Sequence, residues 1–182
     1  MKVSEAIMPE RQLLLLRHAK AATGEAGMDD FARPLAERGV KNAAVMGRLL
    51  ASHGLVPDLA LVSPARRTRE TWGLVASQFE APPEARFIDE LYDFGDGAAL
   101  LQAIRAHGGR AARLMLVTHN PATAALASAL SGSGEKALRR QMAEKYPTAG
   151  LAIISFSEGN WAETEVGSGK LEAFIRPRDL GE

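Results

Sequence analysis

The chain alternates short, unbroken apolar runs with longer stretches in which apolar residues recur every three or four positions. Residues 13–16, Leu59–Val62 and 114–118 are runs of the first kind. Runs this short fit strands buried on both faces, as in parallel α/β sheets. Residues 36–52 set Val40, Ala44, Leu49 and Leu50 near one helical stripe, and His53-Gly54 supplies a stop. Ser63-Pro64 follows the second run directly. It reads as an N-cap with proline at the first helical position, opening a helix to about Phe79. Asn120-Pro121 repeats the device after the third run and opens an Ala-rich helix to about Leu130. Residues 98–107 predict a further helix, closed by Gly108-Gly109. Residues 81–83 and 131–134 read as loops, and 135–145 as a charged helix. The tail, through 151–156, Trp161 and 171–175, reads as strands joined by a Gly-containing turn.

Strands alternating with helices predict one α/β domain with a mostly parallel sheet. It spans 13–182, with 1–12 as an N-terminal tail, and no repeat or interdomain linker interrupts it. The tail is mixed in charge and lacks the apolar core of a secretory signal.

Composition narrows the chemistry by exclusion. The 182 residues carry 22 Lys+Arg against 22 Asp+Glu, a net charge of zero. No overall basic excess draws the chain onto nucleic acid. Cys is absent, which removes disulfides, thiolate metal sites and a thiol nucleophile. No apolar stretch is long enough to span a membrane as a helix. The expectation is a cytoplasmic monomer without cofactor, nucleic-acid partner or membrane association. No His/Asp/Glu grouping has metal-ligand spacing such as H-E-x-x-H, so no metal is expected.

The three apolar runs end alike, in Arg17-His18, Ser63-Pro64 and Thr118-His119. In open α/β sheets, ligands bind outside the carboxyl ends of the strands. If the strands are neighbours, these ends meet in one crevice. Helix N-termini there favour anions. Arg17 and Arg67 add two planar, permanently charged forks suited to phosphate oxygens. The inferred ligand is a phosphoryl group. A neutral imidazole can attack phosphorus, and His18, at a strand end beside Arg17, is the candidate nucleophile. His119 would donate to a phosphate oxygen from the opposite side, with positioned donors stabilising the transferring group.

Arg17-His18-Ala19, the 63–68 segment Ser-Pro-Ala-Arg-Arg-Thr and the 117–121 segment Val-Thr-His-Asn-Pro together resemble the histidine phosphatase superfamily, the phosphoglycerate mutase-like proteins. The resemblance implies a three-layer sandwich with helices on both faces of the sheet. It makes His18 the phosphorylated residue, with Arg17, Arg67 and His119 completing the phosphate pocket and Asn120 among the substrate-binding residues. Ala19 stands where the family usually has Gly. Arg33-Pro34-Leu35, Glu90-Leu91-Tyr92, the 146–149 segment Tyr-Pro-Thr-Ala and the closing 174–178 segment are similar to SixA-type phosphohistidine phosphatases. That branch implies a phosphohistidine-bearing signalling protein as the partner.

Two other functions remain open. One is a phosphomonoesterase on small phosphorylated metabolites, with Glu90 as the general acid; Asp89 and Asp93 are its neighbours and competitors. The other is a phosphate-binding protein without turnover. The short 87–100 stretch leaves little room for a lid, which favours a site facing a protein surface. Ser63 reads as a helix cap rather than a nucleophile, since no Ser-His-Asp pattern accompanies it. His53 and His107 each precede Gly at a helix end and read as structural.

Overall fold

The computed structural model describes residues 11–157 and 159–181. Most of the 1–12 tail lies outside the described residues. β1 (Arg11–Arg17), β2 (Leu59–Val62) and β4 (Arg113–Thr118) are the three predicted apolar strands. With β3 (Glu84–Phe87), β5 (Ser131–Gly134), β6 (Leu151–Phe156) and β7 (Gly169–Ile175) they form one sheet in the order β3-β2-β4-β1-β6-β7-β5. β1 to β4 pair in parallel among themselves, β6 runs antiparallel to both β1 and β7, and β5 is parallel to β7. The fold is therefore a single α/β domain with a mostly parallel sheet, as the pattern predicts.

Alternation along the strands builds two cores. Leu13 and Leu15 of β1, Leu61 of β2 and Leu114 and Leu116 of β4 face α3 (Ala98–His107) and α4 (Ala122–Leu130), packing on Leu100, Ile104 and Leu126. The intervening Leu14, Leu16, Ala60, Val62, Met115 and Val117 face α1 (Glu37–Ser52) and α2 (Arg66–Ala76), on Met46, Leu50, Trp72 and Val75. Helices on both faces complete the three layers. This is why the strands read as unbroken apolar runs instead of alternating ones.

Five local readings are corrected. The 131–134 segment is not a loop but the edge strand β5. Its Ser-Gly-Ser-Gly sequence carries no strand signature, and it pairs where side chains would not fit: a Cβ on Gly132 would strike the Gly167 carbonyl oxygen. β3 escapes notice because its residues are largely exposed at the opposite edge. Trp161 lies in a 3₁₀ turn, Trp161–Glu163, fully buried against Phe156 rather than in a strand. Finally, Ser63 does not cap α2. The chain bends at Pro64 and Ala65, Ala65 is the N-cap, and the helix begins at Arg66 with no side-chain cap. α2 also ends at Ala76, short of Phe79.

Sheet register then places the polar strand ends together. Arg17 is opposite Thr118 and Val62 is opposite Val117. The His18 amide donates to the Thr118 carbonyl (3.0 Å), and the Ser63 amide to that of Val117 (3.0 Å). His18, Ser63 and His119 thus leave three adjacent strands at one level.

Candidate active site

His18 and His119 stand with ring centroids 5.2 Å apart and planes tilted by 52°. Both are nearly or wholly buried. The chain turns sharply after β1. The Ala19 amide donates to Thr71 Oγ1 (3.0 Å), and that hydroxyl donates to the Arg67 carbonyl (2.6 Å), tying the turn to α2. His18 Nδ1 lies 2.8 Å from the Ala19 carbonyl oxygen. A carbonyl can only accept, so Nδ1 carries the proton and Nε2 presents its lone pair. Burial pushes the imidazole pKa down to about 4, the Ala19 bond opposes this, and Arg67, Arg17 and Arg33 lower it further. His18 is therefore neutral at pH 7.

His119 has its Nε2 2.7 Å from Ser63 Oγ, while its buried Nδ1 has no partner among the described residues. Burial first, then His18 and Arg67, lower its pKa to about 3. A Ser63 hydroxyl donating into Nε2 leaves an Nδ1–H free to meet an incoming oxyanion. Thr123 Oγ1 donates to the His119 carbonyl (2.8 Å), fixing the start of α4. The ring sits against Tyr92 (5.3 Å) and Phe94 (5.0 Å), and Tyr92 in turn against Phe31 (5.2 Å).

The two arginines are held by different means. Arg17 donates through Nη1 to the Tyr146 carbonyl (2.9 Å), and its buried Nε has no partner among the described residues. Burial and the nearby Arg67 lower its pKa. Arg67 is 3% exposed. Its Nη1 donates to the Asp30 carbonyl (2.8 Å) and its Nη2 to Asp30 Oδ2 (3.0 Å). The same carboxylate accepts from Tyr92 Oη (2.7 Å) and Arg33 Nη1 (2.9 Å). The Tyr92 bond foremost, then those of Arg67 and Arg33, hold the Asp30 pKa down to about 2 despite some burial.

Of the residues singled out in the sequence, Arg17, His18, Arg67 and His119 converge. Asn120 borders them, its Nδ2 donating to the same Tyr146 carbonyl that Arg17 uses (3.0 Å). Glu90 is placed differently. It is exposed and lines a shallow groove with Gln102, Ala106 and His107 of α3. Sequence reasoning overlooked Asp30 and Phe94 and gave Tyr92 no role. Asp30 lies in a polar stretch with no motif of its own, three residues before Arg33. Only the fold brings it to Arg67.

Such a site, two neutral imidazoles and two guanidiniums at parallel strand ends, defines a pocket for a phosphoryl group beside a nitrogen nucleophile. Comparison agrees. Residues 13–96 match the family model described as histidine phosphatase superfamily (branch 1). An uncharacterized protein of Mycobacterium tuberculosis is 36% identical over 166 residues, 90% of this chain and all of its own. A SixA protein of Agrobacterium tumefaciens, provisionally described as a phosphohistidine phosphatase, is 32% identical, with TM-score 0.76 over 92% of this chain and 98% of its own. A SixA of Nakamurella multipartitia, described in the same way, is 26% identical, with TM-score 0.80 over 92% and 96%. The chain belongs to the histidine phosphatase superfamily. Membership implies a phosphatase with a histidine nucleophile.

Proposed function

We propose that the chain hydrolyses phosphohistidine on a protein substrate, without a metal ion, through a phosphohistidine intermediate at His18. The observation that carries this reading is the bond between His18 Nδ1 and the Ala19 carbonyl, which leaves Nε2 unprotonated and rigidly placed. In the first step Nε2 attacks phosphorus as the bond from phosphorus to the substrate imidazole nitrogen breaks. The departing imidazole takes a proton from solvent. In the second, water attacks phospho-His18, releasing inorganic phosphate and the free imidazole. Arg17, Arg67 and the His119 Nδ1–H bind the equatorial oxygens, where charge accumulates in both transition states. Asn120 and Arg17 share the Tyr146 carbonyl, so Asn120 supports the wall on which Arg17 lies.

A protein substrate is favoured by the mouth of the site. Phe31 and Phe94 are 38% and 45% exposed beside Tyr92 and His119. Exposed aromatic rings around a charged pocket suit contact with another protein surface. A phosphohistidine also leaves readily once its imidazole is protonated, whereas an alkoxide needs a positioned acid. Glu90, the candidate for that acid, lies in the α3 groove.

The test compares turnover of a phosphorylated histidine-phosphotransfer domain with that of a panel of sugar phosphates. The reading predicts preference for the phosphoprotein by at least tenfold in kcat/KM. Preference for a sugar phosphate, with a large loss in Glu90→Gln, would establish the phosphomonoesterase instead. Binding of phosphate with no turnover of either would establish a non-catalytic phosphate-binding protein.

A further inference from the structure

A second cationic recess lies behind the segment that holds Arg17. Arg38 and Asn42 project from α1, Lys145 follows α5 (Lys136–Glu144), Thr148 comes next, and Arg176 and Arg178 close it from the C-terminal end. It encloses about 200 Å³. That is the volume of roughly seven waters, enough for a phosphate or a compact polycarboxylate. Pro147 and Pro177 complete its wall, and among the described residues no carboxylate lines it, Asp179 lying behind Arg176.

Two observations point to a ligand. Asn42 is only 7% exposed, yet its carboxamide lines the recess and has no hydrogen-bond partner among the described residues. Its amide is not sealed from the recess and is free to bond a group that enters there. The second concerns charge. Arg176 is committed to Asp179, through Nε and Nη2 at 2.8 Å each. Arg38, Lys145 and Arg178 have no ion pair among the described residues. All three are exposed, and Arg178 also lies near enough to Asp179 to lower its pKa, so the recess carries a solvent-screened excess of positive charge that favours an anion.

We propose that this recess is a second, non-catalytic oxyanion site, taking a small multiply charged phosphate or carboxylate metabolite. Guanidinium forks from Arg38 and Arg178 would grip the oxygens, Lys145 would add a point charge, and the Asn42 amide would donate from the floor. The site also adjoins the catalytic one. Pro147 and Thr148 form its wall, while on either side the Tyr146 carbonyl accepts from Arg17 and the Ala149 amide donates to the Arg17 and His18 carbonyls (3.1 and 3.0 Å). A ligand there bears on the backbone that positions Arg17.

The test is a titration of the full chain with citrate and, separately, inorganic phosphate, followed by ¹H–¹⁵N NMR at constant ionic strength. The expected result is saturable movement of the Asn42 side-chain amide and the Thr148 backbone amide with both probes. Phosphate should give a second, independently saturating set at His18 and Arg67. Asn42→Asp, which sets a carboxylate in the floor, and the exposed pair Arg38→Gln/Arg178→Gln should each weaken citrate binding at least tenfold. Arg48→Gln, exposed on the same helix but outside the recess, should not. Linear shifts without saturation, or equal binding by the variants and the wild type, would overturn the site. A hexaglutamate peptide moving the same amides where neither small anion saturates would assign the surface to an acidic protein partner and overturn the metabolite. Coupling is read at the Arg17 Nε–H resonance, which citrate should shift in the wild type; a resonance that stays fixed while Asn42 saturates overturns the coupling alone.

Discussion

Asp30 holds both terminal nitrogens of Arg67, one through its carbonyl at 2.8 Å and the other through its carboxylate at 3.0 Å. A guanidinium so buried and so fixed is held beside His18 and His119 and cannot swing away from them. Positioning of this kind matters because small misplacements of a catalytic group carry large rate penalties. Asp30→Ala should lower kcat/KM by about a hundredfold. Tyr92→Phe, which removes one of the carboxylate's hydrogen bonds (2.7 Å), should lower it by less than about tenfold. Steady-state kinetics with a small aryl phosphate would check both, and an unchanged Asp30→Ala enzyme would refute the positioning role.

Ser63 should behave as part of the site instead of as a helix cap. Ser63→Ala removes the hydroxyl from His119 Nε2, so the proton is no longer directed to Nδ1. A loss of about tenfold in kcat/KM is expected, with a destabilisation of about 1–3 kcal/mol from the unsatisfied buried nitrogen. Imidazole ¹⁵N shifts should show the Nδ1–H tautomer in the wild type and a mixture in the variant.

The acidic limb of the pH profile should lie low. The His18 pKa is held at about 4, so the nucleophile stays unprotonated well below the ordinary histidine range. For the free enzyme, kcat/KM should not show a histidine protonation step near pH 6.5. Stability follows with a definite sign. Between roughly pH 6.5 and 4 the unfolded chain binds protons that the folded chain refuses at His18 and His119. Stability should therefore be full above pH 6.5 and fall as pH drops through that window, by on the order of 3 kcal/mol per histidine at most. Denaturant midpoints measured from pH 7.5 to 4 would check the direction.

Glu90→Gln should change turnover of a phosphohistidine substrate by less than about twofold, because the side chain lies in the exposed α3 groove. An effect of about a hundredfold would place a general acid there after all.

Much of this was legible in the sequence because burial on both faces makes central strands conspicuous. Leu13 to Leu16 and Leu114 to Val117 are fully buried, and a polar residue following such a run marks a strand end on sight. Arg17, His18 and His119 could be gathered in that way, and Arg67 from the first turn of the helix that follows Leu59–Val62. Edge strands gave no such signal: β3 is mostly exposed, and β5 is made of Ser and Gly. Ser63-Pro64 misled because the same hydroxyl that can cap a helix can also orient an imidazole, and only sheet register decides between them. Asp30 was invisible for a related reason. Its partner, Arg67, is 37 residues away in the chain, and no spacing rule joins a surface 3₁₀ turn to a helix N-terminus.

The central claim is that phosphate passes through His18 Nε2. Its most direct test is rapid acid-free quenching of enzyme mixed with a ³²P-labelled phosphohistidine protein, followed by peptide mapping of the labelled chain. The account predicts label that is stable to alkali, labile to acid and confined to the peptide containing His18, and none in His18→Ala. Turnover persisting in His18→Ala, or label found at another residue, would contradict it.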